Sequence, residues 1–401
     1  MKIINFIPLP YSNSGNFWSR DMGLLTLAMR SIGIDSYLAA IYDRDVKDDL
    51  PLIIQSRNLY TSPEWWIRQK PDAIILNTWS APRHDDIRRA ALATGCPVIE
   101  KLDTDGVKSP RVYPWHSLRR TWVNYDLRHP ISSGIPEKAE ALARFFITYL
   151  FPSLLDKKMV RCMERVSVYA AETPLASARV RRFLEMYQAS PMPRVVTIPH
   201  PVNTSSMGFA SEDRKLDQII AVGRWDDAVK GWPLLKRIVK RFLERNPSWR
   251  FLVAGPGAEE DCQSLQQQFE GRFQMLGKIG HDQLNGHLRA SKIYLLTSHS
   301  ETFNIAGAEA LCCGCSVVGP GQIPSTSYFA GHGSGTVSNL RSLPHMLDAL
   351  NSEVSLWEDG MRDPSLISRR WIEELGAQSV ARRYLKVIES MADKPTTGYF
   401  K

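Results

Sequence analysis

The stretch that decides the fold is Ser291–Gly319, which reads SKIYLLTSHSETFNIAGAEALCCGCSVVG. An apolar run at Ile293–Thr297 is followed by a polar loop, a segment with helical spacing and a second apolar run at Ser316–Gly319. Two short apolar runs joined through a helix are typical of a parallel β-α-β unit. The sequence therefore predicts a strand, a loop, a helix and a second, parallel strand.

Two carboxylates of this unit are candidates for ligand binding. Glu301 would lie in the loop, and Glu309 about two turns into a helix that begins near Phe303 or Asn304. Free N–H groups at the start of such a helix favour an anion such as a pyrophosphate. Because carboxylates accept hydrogen bonds from hydroxyls, Glu309 would suit a ribose and Glu301 the hydroxyls of a sugar.

The same alternation of apolar runs and helical periodicity extends over the whole chain. It predicts an α/β protein of two Rossmann-like, doubly wound domains facing a central cleft, where ligands of such folds bind. A polar segment, Pro201–Lys215, predicts the boundary between a domain at 1–203 and a domain at 216–376, followed by a terminal helix at 377–394. The predicted strands are Lys2–Ile7, Ile34–Ile41, Asp72–Asn77, Cys96–Leu102, Val166–Ala171, Val195–Ile198, Gln218–Val222, Arg250–Ala254, Phe273–Leu276, Ile293–Thr297 and Ser316–Gly319.

A second constellation is Val222–Gly231, which reads VGRWDDAVKG. Arg224 and Lys230 flank a short turn between a predicted strand and a predicted helix. Two cations beside a helix N-terminus form a diphosphate site that needs no metal and would stabilise a departing diphosphate. Gly15, after the first strand, and Gly255, in the turn VAGPG, would allow a nucleotide to approach the backbone, although Gly15 is equally typical of a plain turn.

Composition and charge restrict the class of protein. The chain has 401 residues, of which 43% are hydrophobic and 23% charged, as in globular proteins. Its net charge of +8 is concentrated at 107–194, where 15 Lys and Arg outnumber 7 Asp and Glu. Together with the aromatic residues there, this excess indicates either a solvated basic face or contact with an anionic membrane surface. No nucleic-acid-binding module is recognisable, so no nucleic acid is expected as a partner.

Targeting and metal signals are weak. No apolar run reaches the roughly 18 residues of a spanning helix, the first residues do not read as a signal peptide, and six cysteines do not form a disulfide framework. We therefore expect a cytoplasmic protein, peripheral on the inner face of the membrane if the basic region binds lipid. The cysteines at Cys312–Cys315 lack a second cluster that would complete four ligands. The triplet Asp103–Asp105 is of a kind common by chance and fits a strand-end acidic loop or an acid that positions a hydroxyl better than a metal ligand, so no metal is expected.

Together these motifs resemble those of retaining GT-B glycosyltransferases of the family 4 type. The family's E-x7-E motif is similar to Glu301 and Glu309, and its G-R-x5-K-G motif to the segment Gly223–Gly231. A third motif, beginning Leu-Gly, is similar to Leu276–Leu284. The resemblance covers roughly 218–319 by motif and the first half of the chain only by architecture. It implies a GT-B fold whose terminal helix crosses back to the N-terminal domain.

The resemblance also implies roles for individual residues. Arg224 and Lys230 would bind the donor diphosphate, Glu309 the donor ribose, and Glu301 the donor sugar; with Asp103 these form the expected catalytic set. No cofactor is implied, because the nucleotide diphosphate sugar, UDP- or GDP-linked, is itself a substrate. The residues implied for donor binding are Gly15, Asn16, Gly223, Gly255, Lys278, Ile279, Thr302, Phe303, Asn304, Ile305 and Glu309.

The chain departs from the family pattern at several positions. The family usually has Gly where Asn304 stands and Pro where Ser316 stands. Many members carry a His after the fourth strand of the N-terminal domain, where it touches the sugar. Here the corresponding segment, EKLDTDG at 100–106, contains no His, and Asp103 or Asp105 would take that place.

The activity that the resemblance implies is transfer of a sugar from a nucleotide diphosphate sugar to an acceptor hydroxyl, with retention of the anomeric configuration and without a metal. Attack from the front face would leave no protein nucleophile to assign. The acceptor would be a saccharide or a lipid-linked molecule, in the assembly of a bacterial polysaccharide, lipopolysaccharide or glycolipid. A nucleotide-sugar 2-epimerase and a catalytically silent nucleotide-sugar-binding subunit are the alternatives.

Overall fold

A computed structural model of the chain describes residues 1–11, 18–19, 21–41, 50–114, 146–147, 150–205, 207–209 and 214–392. So far as these residues are described, the chain forms two compact units. Unit 1 contains the described residues between Met1 and Pro114, between Ile147 and Asn203, and from Leu375 to Ala392, and unit 2 contains those between Thr204 and Glu374 together with Phe146. Each unit contains one parallel sheet covered by helices, which confirms the predicted fold class of two Rossmann-like domains.

Unit 1 contains a seven-stranded parallel sheet in the order β3-β2-β1-β4-β5-β6-β7. Every residue of β4, β5 and β6 is buried, as expected for a parallel sheet with helices on both faces. The strands are β1 (Lys2–Pro10), β2 (Asp35–Ile41), β3 (Leu52–Gln55), β4 (Ala73–Leu76), β5 (Val98–Lys101), β6 (Val168–Ala171) and β7 (Arg194–Thr197). The helices are α1 (Asp21–Ser31), α2 (Arg57–Tyr60), α3 (Pro63–Gln69), α4 (Asp85–Leu92), α5 (Pro152–Met163) and α6 (Pro174–Met186).

Unit 2 contains a six-stranded parallel sheet in the order β10-β9-β8-β11-β12-β13. The strands are β8 (Leu216–Val222), β9 (Arg250–Ala254), β10 (Phe273–Gly277), β11 (Ser291–Leu295), β12 (Ser316–Pro320) and β13 (Gly335–Ser338). The helices are α7 (Trp232–Arg245), α8 (Gln263–Gln268), α9 (His281–Ala290), α10 (Ile305–Cys312), α11 (Pro324–Phe329), α12 (Leu343–Glu358) and α13 (Pro364–Leu375).

The terminal helix α14 (Ala377–Ala392) belongs to unit 1, although it follows the whole of unit 2 in sequence. Its apolar face, with Val380 and Tyr384, packs into the same cluster as Ile3 of β1 and Leu25 of α1. The apolar spacing of this helix is therefore explained by burial against the sheet of the first unit, as the resemblance implies.

Two strands are missing from the sequence prediction, β3 and β13. Both are four residues long and lie at a sheet edge, where a strand pairs with a single neighbour. β13 contains one large apolar residue and so gives no apolar run, whereas β3 has a run of three apolar residues that the sequence prediction omitted. The strand predicted at Ile293–Thr297 also lies two residues earlier, at Ser291–Leu295, which leaves Thr297 in the following loop.

Candidate functional site

The candidate site of unit 2 lies where its strand order reverses. The chain passes from β8 to β9 on one side and later places β11 on the other side of β8. Ligands of doubly wound sheets bind at the carboxyl ends of the strands beside such a reversal. Two loops flank it here: the β8 loop, 223–231, and the β11 loop, 296–304.

The side chains of Lys230 and Glu301 join these two loops. Nζ of Lys230 donates to Oε1 of Glu301 at 2.7 Å, and the Ser298 hydroxyl donates to the same oxygen at 2.7 Å. The Lys230 side chain is 26% exposed and the Glu301 side chain 13%. Among the described residues, Oε2 of Glu301 accepts no hydrogen bond. The structure thus brings together a cation and a carboxylate that are 71 residues apart in sequence.

Backbone contacts fix the spacing between the loops. The N–H of His299 donates to the carbonyl oxygen of Val229 at 2.7 Å, and the Thr297 hydroxyl donates to the carbonyl oxygen of Lys230 at 2.9 Å. Thr297 and His299, which flank Ser298, thus both hold the end of the β8 loop. Lys230 is therefore held at its backbone as well as at its ammonium group.

Arg224 occupies a more open position. Its side chain is 71% exposed, and its guanidinium lies 3.3 Å from Oδ2 of Asp227. Oδ1 of Asp227 accepts from the N–H of Val229 at 3.0 Å, which caps the short 3₁₀ turn Ala228–Lys230. An exposed ion pair of this kind contributes little to stability, so Arg224 can leave Asp227 for a ligand at small cost.

Two glycines allow close backbone approach around this site. A side chain at Gly255, whose φ is 107°, would collide with the carbonyl oxygen of Gly223. At Gly231, with φ 77°, it would collide with the guanidinium of Arg341. Arg341 also donates from Nε to the carbonyl oxygen of Thr297 at 2.7 Å. Sequence reasoning missed this third cation because it follows β13, a strand that was not predicted.

Asn304 explains one departure from the family pattern. It has φ 62°, in the left-handed region that favours glycine and that Asn tolerates better than most residues. Its Oδ1 accepts from the N–H of Gly307 at 3.2 Å, which caps α10, and from the Tyr294 hydroxyl at 3.0 Å. Its Nδ2 is buried and has no hydrogen-bond partner among the described residues. An Asn here meets the same backbone requirement as Gly and leaves one amide donor unused.

Glu309 lies on α10 with its side chain 15% exposed. Its Oε1 is 3.3 Å from Nε2 of His281, the first residue of α9. The hydrogen bond to Glu309 is the main cause that raises the pKa of His281 above its ordinary value, while partial burial opposes it. Sequence reasoning missed His281, although the residue falls within the Leu276–Leu284 motif.

The other predicted donor-binding residues differ in accessibility. Lys278 and Thr302 are exposed, and Ile279 and Ile305 are half-buried. Phe303 is buried, and its ring packs against that of Phe329 with 5.3 Å between the ring centroids, so its side chain is not available to a ligand. Gly15 and Asn16 lie outside the described residues.

In unit 1, the structure separates the two candidate aspartates. Asp105 is buried, and its Oδ1 accepts from the N–H of Val107 at 3.1 Å, a contact that shapes the local turn. Asp103 is half-buried with φ 39°, and its Oδ2 accepts from the Trp79 indole at 3.4 Å. Trp79 also has a positive φ, of 55°. Strained non-glycine residues concentrate at functional sites, which favours Asp103 over Asp105.

Beneath Asp103 lies a buried charge network that sequence reasoning missed. Nζ of Lys101, at the end of β5, is 2.9 Å from Oδ1 of Asp21 and 3.0 Å from Oε1 of Glu172. Burial raises the pKa of Glu172 to about 8, although Lys101 opposes the shift. His200 approaches Asp21 at 3.5 Å, and burial followed by the charge of Lys101 lowers its pKa. A histidine therefore does lie at this sheet edge, contributed from beyond β7 rather than from the segment after β5.

The cysteine triplet and the aspartate triplet are the two sequence motifs that could be taken for metal sites. All six cysteines are free, and Cys312, Cys313 and Cys315 are buried. Within the ranges that the structure describes, no group of three His, Cys, Asp or Glu side chains could hold a metal ion. Across the same ranges, no helix combines the length and apolar character that a membrane crossing needs.

The candidate site lies in a part of the chain that matches a known protein-family model. Residues 217–337 match the family model described as glycosyl transferases group 1. This segment contains the β8 loop, the β11 loop and α10. It also contains His281, and it ends shortly before Arg341.

Relatives and solved structures agree with that match. The chain is 33% identical over 92 residues to the phosphatidylinositol N-acetylglucosaminyltransferase gpi3 subunit of Schizosaccharomyces pombe, covering 22% of this chain and 20% of that protein. It is 25% identical over 131 residues to the phosphatidyl-myo-inositol mannosyltransferase of Mycolicibacterium smegmatis, covering 31% and 33%. The crystal structure of HepE from Anabaena with UDP superposes with a TM-score of 0.63 at 13% identity, over 97% of this chain and all of that one.

The structural match and the sequence matches support different conclusions. The structural match shows that the fold is that of GT-B glycosyltransferases, as predicted. The matches to the two curated relatives span only about a fifth and a third of their length. Together with the family model, they support a glycosyltransferase of the group 1 type.

Proposed function

We propose that this chain is a retaining, metal-independent glycosyltransferase that uses a nucleotide diphosphate sugar as donor. The observation that carries the proposal is the contact of Lys230 with Glu301 across the strand reversal of unit 2, within the segment that matches the family model. It joins a phosphate-binding cation to a hydroxyl-binding carboxylate at the place where ligands of this fold bind.

Lys230 and Arg224 bind the donor diphosphate in this proposal. Lys230 is partly exposed and held at its backbone, and Arg224 is largely exposed. The start of α10 adds N–H groups and the positive end of a helix dipole. Because the diphosphate gains charge as the bond to the sugar breaks, these groups stabilise the transition state more than the ground state.

Glu301 and Glu309 hold the hydroxyls of the donor. Oε1 of Glu301 is already fixed by Lys230 and Ser298, which leaves Oε2 to accept from hydroxyls of the sugar. Glu309 accepts from the ribose. Thr302–Ile305 contribute backbone groups.

The reaction assigns no nucleophile to the protein. The acceptor hydroxyl attacks the anomeric carbon from the face that the diphosphate leaves, and the departing phosphate accepts its proton. Asp103 orients the acceptor hydroxyl, a role supported by its partial exposure and its strained backbone. The acceptor is a saccharide or a lipid-linked molecule. In a bacterial cell, the product would enter polysaccharide, lipopolysaccharide or glycolipid assembly.

A donor screen tests the proposal. Thermal shift with UDP-, GDP-, ADP- and dTDP-sugars should identify one base that raises the melting temperature. Incubating that donor with and without acceptor saccharides, followed by NMR, should give a transferred sugar of unchanged anomeric configuration, with or without EDTA. Conversion of the donor alone into an epimer would favour a 2-epimerase, and binding without turnover would favour a silent subunit. An inverted product or a loss of activity in EDTA would contradict the proposal.

We also propose that the protein contacts an anionic membrane surface. Four apolar residues at the start of α5 or just before it expose more than half of their surface: Leu150, Phe151, Leu154 and Leu155. Lys157 and Lys158, on the same helix, are also exposed. Apolar side chains beside cations are typical of segments that insert into anionic headgroup regions.

Vesicle sedimentation tests the membrane contact. The double variant Leu154→Ser, Leu155→Ser should bind phosphatidylglycerol-containing vesicles more weakly than wild type. The matched control Met361→Ser, Leu366→Ser, which replaces equally exposed apolar residues of unit 2, should bind as wild type does. Equal binding of wild type to neutral and anionic vesicles would contradict the contribution of charge.

A further inference from the structure

His281 and Glu309 form a contact that none of the predicted roles includes. The two residues lie on neighbouring helices, α9 and α10, and are 28 positions apart in sequence. Nε2 of His281 is 3.3 Å from Oε1 of Glu309. The histidine side chain is 43% exposed and the carboxylate 15%, so the pair lies at the surface of unit 2 rather than in its core.

The neighbourhood of His281 fixes its tautomer. Nδ2 of Asn285, one turn along α9, lies 3.2 Å from Nδ1 of His281. Because the ionised Glu309 carboxylate can only accept, the proton of the neutral His281 ring lies on Nε2, and Nδ1 is left to accept from the Asn285 amide. A surface histidine with both ring nitrogens engaged is held in one orientation.

The two carboxylate oxygens of Glu309 therefore have different surroundings. Oε1 is held by His281, while Oε2 accepts no hydrogen bond among the described residues. The charged groups that act on His281 are Glu309 and Asp282, and both favour its protonated form. A protonated ring would withdraw negative charge from Glu309 and weaken its hydrogen bonds to other donors.

We propose that His281 is a positioning residue of the donor site, which orients Glu309 so that its carboxylate distinguishes a ribose from a 2′-deoxyribose nucleotide. The inference rests on the proposed function, in which Glu309 accepts from the ribose. Without His281 the carboxylate would rotate freely, and the bond to the 2′-hydroxyl would lose its geometry.

Isothermal titration calorimetry with ribonucleotides and their 2′-deoxy counterparts tests whether His281 has this role. The probes are UDP, GDP and ADP with their 2′-deoxy counterparts, and the readout is the ratio of Kd for deoxyribose to Kd for ribose. In His281→Ala this ratio should fall about fivefold, the size of one ordinary hydrogen bond. His281→Gln should retain most of the ratio, since the Gln amide can donate to Glu309 from a similar position. His287→Ala, on the same helix, is the matched control and should match wild type.

The pH dependence separates positioning from a merely structural role. In wild type the ratio should fall as pH decreases through the pKa of His281, which is raised above its ordinary value by Glu309. In His281→Gln it should not change between pH 6 and 8.5, because Gln does not titrate.

The two possible failures are distinguishable. If wild type binds none of the ribonucleotides, the proposed function fails and this inference fails with it. If wild type binds a ribonucleotide and His281→Ala retains both the ratio and its pH dependence, only the role of His281 is contradicted.

Discussion

Lys101 and Lys230 are both paired with carboxylates at the carboxyl end of a parallel sheet, one in each unit, but their surroundings differ. The Lys101 side chain is 2% exposed and contacts both Asp21 and Glu172. The Lys230 side chain is 26% exposed and contacts Glu301. A buried lysine depends on its partners for its charge, whereas a partly exposed one can exchange its partner for a ligand. The two lysines thus distinguish a charge that stabilises the fold from a charge that is available to bind a ligand.

The largest expected effect is the difference in stability between the variants that remove the charge of each lysine. Lys101→Met leaves the Asp21 carboxylate without its cation and should lower the free energy of unfolding by about 3–5 kcal/mol. Lys230→Met should lower it by about 1 kcal/mol or less, because its pair is partly solvated. Urea denaturation followed by circular dichroism measures both. Equal losses in the two variants would remove the distinction between the units.

The buried network should also make stability depend on pH through Glu172. Its pKa in the folded protein is raised to about 8 by burial, so the folded state binds a proton that the unfolded state releases near its ordinary pKa. This contribution is fully present below the unfolded pKa and is lost as pH rises through about 8.

Glu172→Gln removes that dependence. Between pH 5 and 8 the free energy of unfolding of the wild type should fall relative to the variant, by at most about 1.4 kcal/mol per pH unit. Glu185→Gln, an exposed carboxylate on α6, is the control and should follow wild type throughout. A constant difference between wild type and Glu172→Gln over this range would show that Glu172 is ionised when folded.

The smallest expected effect compares the two cations of the β8 loop. Arg224→Met should weaken binding of a nucleoside diphosphate about three- to tenfold, since the guanidinium is largely exposed and its gain is screened by solvent. The free energy of unfolding should change by less than about 0.5 kcal/mol. Calorimetry and denaturation measure the two quantities. A greater loss of affinity than in Lys230→Met would assign the main phosphate contact to Arg224 instead.

Local spacing predicts some features of the molecule and not others. The helix that carries Glu309 begins close to the predicted residue, because an Asn cap and the apolar run around it are local signals. The edge strand β13 is missed because it has no apolar run, and β3 is missed because a run of three apolar residues fits a strand or a turn of buried helix equally well.

Contacts between residues that are far apart in sequence cannot be predicted from local spacing. Lys101 and Asp21 are 80 residues apart, and His281 and Glu309 are 28 residues apart, so no spacing rule connects them. What joins them is the parallel sheet, which places the ends of successive strands and the starts of successive helices at one edge. His200 shows the same limit, since it lies after β7 in sequence but 3.5 Å from Asp21, at the start of α1.

The central claim is that unit 2 binds a diphosphate beside its strand reversal, with Lys230 as the main contact. Calorimetry of the preferred nucleoside diphosphate with Lys230→Met and with Lys240→Met, an exposed lysine of α7, tests it directly. We predict that Lys230→Met binds about 10- to 100-fold more weakly than wild type, the range for a charge-assisted hydrogen bond, and that Lys240→Met binds as wild type does. Equal affinities for the two variants would contradict the account.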